Sequence, residues 1–328
     1  MVLHHRFELW TAPVWLPGRL RADFPQLDVE SQTDYDNIEQ YIHDADVFLG
    51  WSLRPQQLRA AKRLRWIHSP AAGVHLLMSP ELAATDIVVT NAREVHGPVV
   101  AEHAIALMMA LAKRLPSCMR YQREHKWGQE ALWDERPRPR ELRGSTLCLV
   151  GVGSIGRNVA LRALAMGMRV ICVRQHPDSQ ATADALAGDV TVGGPSDLDN
   201  FLGQADFVVL AAPLTPQTEG MINADRLAKM RPEAYLVNVA RGPLVDEAAL
   251  VNALKAGKIG GAALDVFPAE PLPADSPYWD LENVLITPHS AGVNERLWER
   301  HYALIAENMR RFLNGAPLLG VVDKSKGY

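Results

Sequence analysis

Residues 146 to 156 read TLCLVGVGSIG, a short apolar run that leads directly into a turn with glycine at 151, 153 and 156. The apolar run (146–150) has the length of one buried strand, and SIGRNVALRALAMG (154–167) is typical of a helix that ends at a glycine. A second apolar run, RVICV (169–173), follows that helix. The order strand, glycine turn, helix and strand predicts a unit of a parallel α/β sheet.

Each glycine of the turn has a separate physical role in such a unit. Gly151 permits the tight turn, Gly153 lets a pyrophosphate approach the backbone, and Gly156 lets the helix pack closely against the strand. The helix begins at Ser154 and Ile155, where its amide groups and the positive end of its dipole favour phosphate. The alternative is a glycine-rich turn that binds nothing, but the complete strand–turn–helix–strand unit favours dinucleotide binding.

Basic residues follow the second strand, where dinucleotide-binding units usually carry an acidic residue. Arg174 and His176 come directly after the apolar run, and the first acidic residue is Asp178. A carboxylate at this strand end accepts hydrogen bonds from the ribose of NAD, whereas an arginine pairs with the 2′-phosphate of NADP. We therefore expect Arg174, with His176 as a second donor, to favour NADP over NAD. The alternative is that Arg174 is a solvated cation at a strand end.

Length and charge limit the possible classes of protein. The chain has 328 residues, which suggests two domains, and a formal net charge of −4, which does not indicate a nucleic-acid or membrane partner. The basic stretch RPRPR (136–140) lacks interleaved aromatic residues, so we interpret it as a solvated interdomain loop. No stretch approaches the roughly 18 apolar residues of a membrane span, and the N-terminus lacks a signal-peptide run.

Cysteine and histidine spacing gives no metal or disulfide pattern. Cys118, Cys148 and Cys172 stand far apart, so a reduced, cytoplasmic location is the simplest interpretation. No residues have HExxH-type spacing, and we predict no metal. We interpret His103, in a long apolar segment, as a packed or capped residue rather than a ligand.

Apolar runs of strand length occur in two series. The first series comprises DVFLG (46–50), LRWIHS (64–69) and DIVVT (86–90). After the glycine unit, the second series continues with FVVLAAP (207–213), AYLVNVA (234–240), GAALDV (261–266) and NVLITP (283–288). Segment 99–115 predicts a mostly buried helix that continues towards Trp127, and a last long helix is expected from about Asn294 to Leu313. Two α/β lobes with parallel sheets are the natural architecture.

Polar residues suited to acid–base chemistry and anion binding follow the last three runs. Arg241 lies in VNVARGPLV, Asp265 and Glu270 lie in ALDVFPAEPLP, and His289 lies in LITPHSAG. In an open α/β sheet, ligands bind outside the carboxyl ends of the strands, where these side chains are expected. A single arginine or histidine at a strand end is usually structural, so the functional hypothesis depends on their combination.

With the glycine turn, these segments resemble the D-isomer-specific 2-hydroxyacid dehydrogenases, and they are closest in type to the glyoxylate/hydroxypyruvate reductases. The resemblance covers nearly the whole chain and rests on AAGVHLL (71–77), NAREVHGPVVAEHAIALMMALAKR (91–114), ELRGSTLCLVGVGSIG (141–156), AAPLTPQTEGMI (211–222), LVNVARG, ALDVFPAEPLP and TPHSAG. It implies a Rossmann cofactor domain (99–290) inserted into a flavodoxin-like substrate domain (1–98 and 291–328). Both domains are expected to be doubly wound around parallel sheets.

The resemblance also implies an activity, namely hydride transfer between NADP(H), or else NAD(H), and a small 2-oxo acid or D-2-hydroxy acid. Arg241 is expected to hold the substrate carboxylate and keto oxygen, because its planar fork suits that contact better than lysine would. His289 is expected to be the general acid/base, and Glu270 to orient its ring and favour its charged form.

Further contacts follow from the same resemblance. The backbone amides near Gly73 and Val74 are expected to bind the substrate carboxylate. Trp51 and Arg296 belong to segments expected to set selectivity for the substrate side chain, although Trp51 fits a core anchor equally well. Cofactor contacts are expected at Pro213, Thr218, Val239, Ala240 and, through the nicotinamide carboxamide, Asp265. His75 stands where the family's substrate loop often carries an acidic residue. A homodimer contact through the long apolar helix is expected, although the same apolar content also fits an intrachain core.

A dinucleotide-sensing regulatory protein is the alternative from a different class, since the wider family includes transcriptional corepressors on this fold. Corepressors can keep the residues that correspond to Arg241, Glu270 and His289, so these three do not decide between the two. The absence of a low-complexity tail counts against this alternative. Substrate-dependent oxidation of NADPH distinguishes an enzyme from a sensor.

Overall fold

A computed structural model of the chain describes residues 1–74, 76–177 and 190–327. The chain forms two compact units, a first unit (Met1–His96 with Val293–Tyr328) and a second unit (Gly97–Gly292). The sequence places these divisions at 98/99 and 290/291, each two residues from the observed boundary.

The first unit contains a three-stranded parallel sheet in the order β1 (Val47–Leu49), β2 (Trp66–Ser69) and β3 (Val88–Asn91). Each strand coincides with an apolar run of the first series. Side chains alternate between two apolar clusters, with Phe48 and Ile67 in one and Leu49 and Trp66 in the other. Both faces of this sheet are therefore covered.

Short helices connect these strands: α1 (Trp15–Asp23), α2 (Glu39–Ile42), α3 (Pro55–Ala60) and α4 (Pro80–Ala83), with a 3₁₀ turn at Glu8–Trp10. Proline opens α3 and α4, a position where the missing amide proton costs nothing. The hydroxyl of Ser79 accepts the Leu82 amide at 3.1 Å and caps α4.

The long helical segment is interrupted, contrary to the prediction of one helix that continues towards Trp127. It forms α5 (Arg93–Ala112), α6 (Leu115–Arg123) and α7 (Gln129–Asp134). Arg114 has a φ of 56°, in the left-handed region, and the chain therefore changes direction between α5 and α6.

Helix α5 is also more apolar than expected. Within the described residues it is the one helix long and apolar enough to cross a membrane, with a mean hydropathy of 1.4. The expectation that no stretch of the sequence approaches the length and apolar content of a membrane span is therefore wrong. Of its apolar window, 61% is buried inside the fold, and core helices of globular proteins have the same character.

The second unit contains a parallel sheet formed by β4 (Thr146–Val150), β5 (Arg169–Val173), β6 (Val190–Gly193), β7 (Phe207–Leu210), β8 (Tyr235–Asn238), β9 (Gly261–Leu264) and β10 (Val284–Ile286). The spatial order is β10-β9-β8-β7-β4-β5-β6. The order reverses at β4, and crevices for ligands form at such a reversal. The glycine turn leaves β4 there. Strand β6 was not predicted.

Helices and 3₁₀ turns complete this unit: α8 (Ser154–Ala165), α9 (Leu198–Gln204), α10 (Ala224–Lys229), α11 (Glu247–Lys255) and turns at Pro195–Asp197, Gly242–Leu244 and Pro277–Asp280. Leu147 and Leu149 of β4 lie in one apolar cluster, whereas Cys148 and Val150 lie in another. The sheet is thus covered on both faces, as in a doubly wound fold, and the predicted fold class is confirmed.

The last long helix and the basic stretch at residues 136–140 also have sequence-based expectations. Helix α12 (Leu297–Leu313), in the first unit, packs Ile305 and Met309 in one cluster with Leu16 of α1. Residues 136–140 form a loop inside the second unit, so the interpretation of RPRPR as interdomain is wrong. There, Arg140 donates to Asp206 at 3.4 Å and to the Glu233 carbonyl at 2.8 Å.

Candidate active site

The glycine turn has the geometry that each of its glycines predicts. Gly151 has a φ of 97°, and a Cβ there would lie 2.7 Å from the backbone of Ala212. A Cβ on Gly156 would lie 2.0 Å from the Gly151 carbonyl oxygen, so only glycine permits this packing. A Cβ on Gly153 would meet open space. The turn therefore combines a tight bend with an accessible backbone, which fits a bound pyrophosphate.

Helix α8 presents its N-terminus at this turn. It begins at Ser154 and runs for 12 residues, and the Arg157 amide closes its first turn on the Gly153 carbonyl at 2.9 Å. Ser154 and Ile155 thus occupy the first turn, where helix amides and the helix dipole favour anions. The predicted phosphate-binding residues are brought together.

Arg174 lies beside the same turn. The Gly151 amide donates to the Val173 carbonyl at 2.9 Å, which joins the turn to the end of β5. Arg174 is the next residue and is partly exposed, and His176 is exposed. Asp178 and His75 lie outside the described residues. Arg174 therefore stands at the same edge of the sheet as the glycine turn, and its contact with a ribose phosphate stays a prediction.

Arg241 follows β8 in a turn fixed by the side chain of Asn238. Asn238 accepts the Ala240 amide at 3.1 Å and donates to the Arg241 carbonyl at 2.9 Å. Val239 and Ala240, the predicted cofactor-lining residues, are buried in this turn. Burial lowers the pKa of Arg241, and the negative charge of Glu270 opposes that shift. The charges of the Arg241 and Glu270 side chains therefore interact.

Glu270 and His289 form the closest ionisable pair of the site. Glu270 Oε2 lies 2.6 Å from His289 Nδ1, and its Oε1 accepts the Phe267 amide at 2.9 Å. Burial alone would raise the pKa of Glu270, but the hydrogen bonds from His289 and Phe267 and the charges of His289 and Arg241 hold it below its usual range. The side chain of His289 remains 48% exposed. Its ring is therefore held at Nδ1 while staying accessible.

Asp265 supports the loop that carries His289. The Asp265 carboxylate is 1% exposed and accepts the amides of Ser290 at 2.9 Å and Ala291 at 3.1 Å. Its carbonyl accepts the His289 amide at 2.8 Å. This structural role adds to the predicted contact with the nicotinamide carboxamide, which stays a prediction.

The loop after β7 carries two more predicted cofactor residues. The Thr218 hydroxyl donates to the Pro213 carbonyl at 2.7 Å, and the Thr215 amide donates to the Thr218 hydroxyl at 2.8 Å. These bonds close the loop on itself at the carboxyl end of β7. Pro213 and Thr218 are thereby held at the same sheet edge as the glycine turn.

The predicted substrate residues belong to the first unit. Gly73 and Val74 follow β2, and Val74 is buried. The Trp51 amide donates to the Tyr35 hydroxyl at 2.9 Å, and the Trp51 ring lies 5.4 Å from that of His5. Arg296 is mostly exposed and pairs with Glu295 at 3.8 Å. Their substrate contacts stay predictions.

Sequence reasoning missed Thr287 as part of the site. Its hydroxyl lies 2.6 Å from the Asp265 carboxylate and 3.0 Å from His103 Nε2. The signal available was its place two residues before His289 in TPHSAG. His103, interpreted from sequence as packed or capped, bonds to this threonine across 184 positions of the chain.

Comparison with known proteins agrees with this geometry. Residues 105–291 match the family model described as D-isomer specific 2-hydroxyacid dehydrogenase, NAD binding domain. The chain belongs to this family. The resemblance seen in the sequence to D-isomer-specific 2-hydroxyacid dehydrogenases is therefore confirmed.

Relatives within the 2-hydroxyacid dehydrogenase family are similar over most of this chain. The glyoxylate reductase of Korarchaeum cryptofilum is 36% identical over 282 residues, which are 86% of this chain and 82% of that protein. The D-3-phosphoglycerate dehydrogenase of Synechocystis sp. is 37% identical over 266 residues, 81% of this chain but 46% of that protein. The chain thus spans about half the length of the D-3-phosphoglycerate dehydrogenases that it matches.

A solved structure extends the similarity to the fold. The NADPH-dependent glyoxylate/hydroxypyruvate reductase from Sinorhizobium meliloti, in complex with NADP and sulfate, has a TM-score of 0.78 to this chain. The two are 28% identical, and the match covers 95% of this chain and 96% of that chain.

Proposed function

We propose that the chain is an oxidoreductase that transfers a hydride between NADP(H) and a small 2-oxo acid or D-2-hydroxy acid of the glyoxylate or hydroxypyruvate type. The observation that carries this proposal is the 2.6 Å contact between His289 and Glu270, with Arg241 in electrostatic contact with Glu270. Both members of the pair stand at the carboxyl edge of the sheet that carries the glycine turn. The names of the relatives support the enzyme rather than the regulatory alternative.

Proton transfer in this reaction is assigned to His289. With Nδ1 bonded to Glu270, the ring presents Nε2 to a substrate carbonyl oxygen. NADPH, when bound, supplies the hydride. His289 donates its proton as the alkoxide develops, and the Glu270 carboxylate stabilises the charged ring beforehand. For oxidation of the hydroxy acid, the neutral ring accepts the proton.

Arg241 is assigned to the substrate carboxylate. Its guanidinium is half-buried, and the Ala240 carbonyl accepts a hydrogen bond from one end of it at 2.5 Å. This contact fixes the direction of the side chain and leaves the planar fork to bind two oxygens. An anion held in this way keeps its 2-oxo group close to His289.

The preference for NADP is assigned to Arg174. Replacing Arg174 with Asp removes a charge-assisted contact and adds repulsion, so the ratio of kcat/KM for NADPH to that for NADH should fall about 10- to 1,000-fold. Arg169 at the opposite end of β5 provides the control, since it bonds to Gln204 at 2.6 Å. Arg169→Asp should leave the ratio unchanged. A wild-type protein with the higher kcat/KM for NADH contradicts the assignment.

A cytoplasmic homodimer is part of the proposal. Large apolar side chains are exposed in and after α5: Met109 43%, Leu115 48%, Met119 58%, Trp127 91% and Trp133 57%. Such surfaces are typical of protein interfaces. Light scattering after size exclusion should give twice the 36.2 kDa mass of the chain, and a monomer overturns this part.

The direct test of the function is a panel of carbonyl compounds assayed with NADPH. Glyoxylate and hydroxypyruvate should be reduced, and acetone, which has no carboxylate for Arg241, should react poorly. The progress of the reaction is followed by the loss of NADPH absorbance. If acetone and glyoxylate are reduced equally well, or if no 2-oxo acid is reduced, the proposed function is wrong.

A further inference from the structure

The backbone at His289 has a conformation that needs support. Its φ of 51° lies in the left-handed region, which residues other than glycine rarely adopt. The bonds from the His289, Ser290 and Ala291 amides to Asp265 hold it there. The direction of the His289 ring therefore depends on the position of Asp265.

The Thr287 hydroxyl lies between Asp265 and the ring of His103. Its oxygen is 2.6 Å from Asp265 Oδ1 and 3.0 Å from His103 Nε2. A carboxylate only accepts hydrogen bonds, so the single hydroxyl proton must be donated to Asp265. The hydroxyl then accepts the proton on His103 Nε2. The direction is fixed: His103 donates to Thr287, and Thr287 donates to Asp265.

The bonds between His103, Thr287 and Asp265 are shielded from water, and Asp265 also holds the His289 loop. The side chain of Asp265 is 1% exposed and that of His103 is 23% exposed, so water competes weakly for the bonds. Asp265 Oδ1 accepts from both Thr287 and Ser290. A shift of Thr287 would therefore move the oxygen that also holds the His289 loop.

We propose that His103 is a positioning residue for the His289–Glu270 pair and that it acts through Thr287 and Asp265. Helix α5 thereby fixes the acid/base ring without touching the reacting atoms. The expected effect on kcat rests on the proposed function, whereas the expected effect on the orientation of the His289 ring does not. A histidine that only filled space in α5 would contribute to the stability of the second unit and would leave the orientation of His289 unchanged.

Two matched pairs of variants test the proposal. Thr287→Val removes the hydroxyl and keeps the shape, whereas Thr287→Ser keeps the hydroxyl. His103→Leu removes the donor, whereas His103→Gln places an amide N–H near the position of Nε2. Valine and leucine variants should lower kcat about 10- to 100-fold with little change in the KM for NADPH, because misplacement of a catalytic group costs rate. The serine and glutamine variants should recover most of it.

A spectroscopic readout separates this proposal from the proposed function. The proton shared between His289 Nδ1 and Glu270 should give a downfield ¹H resonance, assigned by its loss in His289→Gln. We expect this resonance to shift or broaden in Thr287→Val and His103→Leu and to be kept in Thr287→Ser and His103→Gln. The resonance tests the positioning even if no 2-oxo acid is reduced.

A control on α5 accounts for general disturbance of the helix. Glu102 pairs with Arg162 at 3.0 Å, and Glu102→Gln removes that ion pair without touching Asp265. This variant should keep both kcat and the resonance. The proposal is overturned if Thr287→Val and His103→Leu leave the resonance unchanged, or if both members of each pair lose kcat equally.

Discussion

The buried polar groups around the active-site loops of the second unit differ in their partners from two buried histidines of the first unit. In the second unit, Asp265 and Asn238 are each 1% exposed and bond to backbone amides or carbonyls around the active-site loops. In the first unit, His68 and His301 are both fully buried, and within the part of the chain that the structure describes, His68 Nε2 and both His301 nitrogens have no hydrogen-bond partner. Paired groups hold one geometry, whereas unpaired imidazoles are tolerated only while neutral.

The pKa values of the first-unit histidines reflect that difference. Burial lowers the pKa of His68 to about 4. Burial, followed by the neighbouring charges of His96 and His68, lowers the pKa of His301 well below its usual 6.5. The ring of His301 lies 5.1 Å from that of Trp298 and 5.3 Å from that of His96. Acid should therefore act on the stability of the first unit, whereas substitutions of the paired active-site groups of the second unit should act on turnover.

The largest effect is expected from a substitution of His289, one of the paired active-site groups of the second unit. His289→Gln should lower kcat by roughly 10²–10⁴-fold, because a general acid/base is lost. NADPH affinity, measured by fluorescence titration, should change little. A variant with kcat close to wild type removes His289 from the mechanism and breaks the contrast between the units.

Acid unfolding tests the role of the buried histidines of the first unit. The folded-state pKa of these histidines lies below the unfolded value, so the unfolded chain binds more protons as pH falls. The contribution of His68 to stability is complete above about pH 6.5 and is lost as pH falls towards 4, by roughly 1.4 kcal/mol per pH unit. The contribution of His301 is lost in the same direction as pH falls. His301→Leu should therefore reduce the slope of unfolding free energy against pH in urea titrations.

The matched control for this prediction is a buried apolar residue of the same helix. Ile305 is fully buried and has no group to protonate, so Ile305→Val should lower stability but leave the slope as in wild type. Equal slopes in wild type and His301→Leu would show that protonation of His301 does not limit acid stability.

A smaller effect is expected from Glu270→Gln. Glutamine keeps a hydrogen bond to His289 but loses the charge that stabilises the imidazolium. Reduction needs the protonated ring, so activity should disappear at a lower pH than in wild type. The pH profile of kcat measures this, with deuterated NADPH used to establish that hydride transfer limits the rate. An unshifted profile contradicts the assigned role of Glu270.

Local sequence patterns predicted most of the fold and the residues at strand ends. Apolar runs predicted nine strands, and the glycine turn lies at the reversal of strand order. Strand β6 was missed because VTVG contains only two valines, separated by a threonine, and so does not form an apolar run. The break at Arg114 was missed because apolar content alone does not show where a helix changes direction.

Contacts between distant segments could not be predicted in the same way. The bonds that join His103, Thr287 and Asp265 connect positions 22 and 184 residues apart. The surroundings of His301 likewise depend on a distant segment, since its ring lies 5.3 Å from that of His96. A single sequence contains the residue types but not the distances, so only the family resemblance indicated the roles of the strand-end residues.

Competition by oxamate, a planar mimic of a 2-oxo acid, tests the central claim that Arg241 holds the substrate carboxylate beside the acid/base pair. Hydrogen bonds to charged groups contribute about 1.5–3 kcal/mol, so inhibition by oxamate should weaken roughly 10- to 100-fold in Arg241→Lys and further in Arg241→Ala. The kcat for glyoxylate should fall in the same order. Equal inhibition of wild type and both variants would show that Arg241 is only a structural residue at the end of β8.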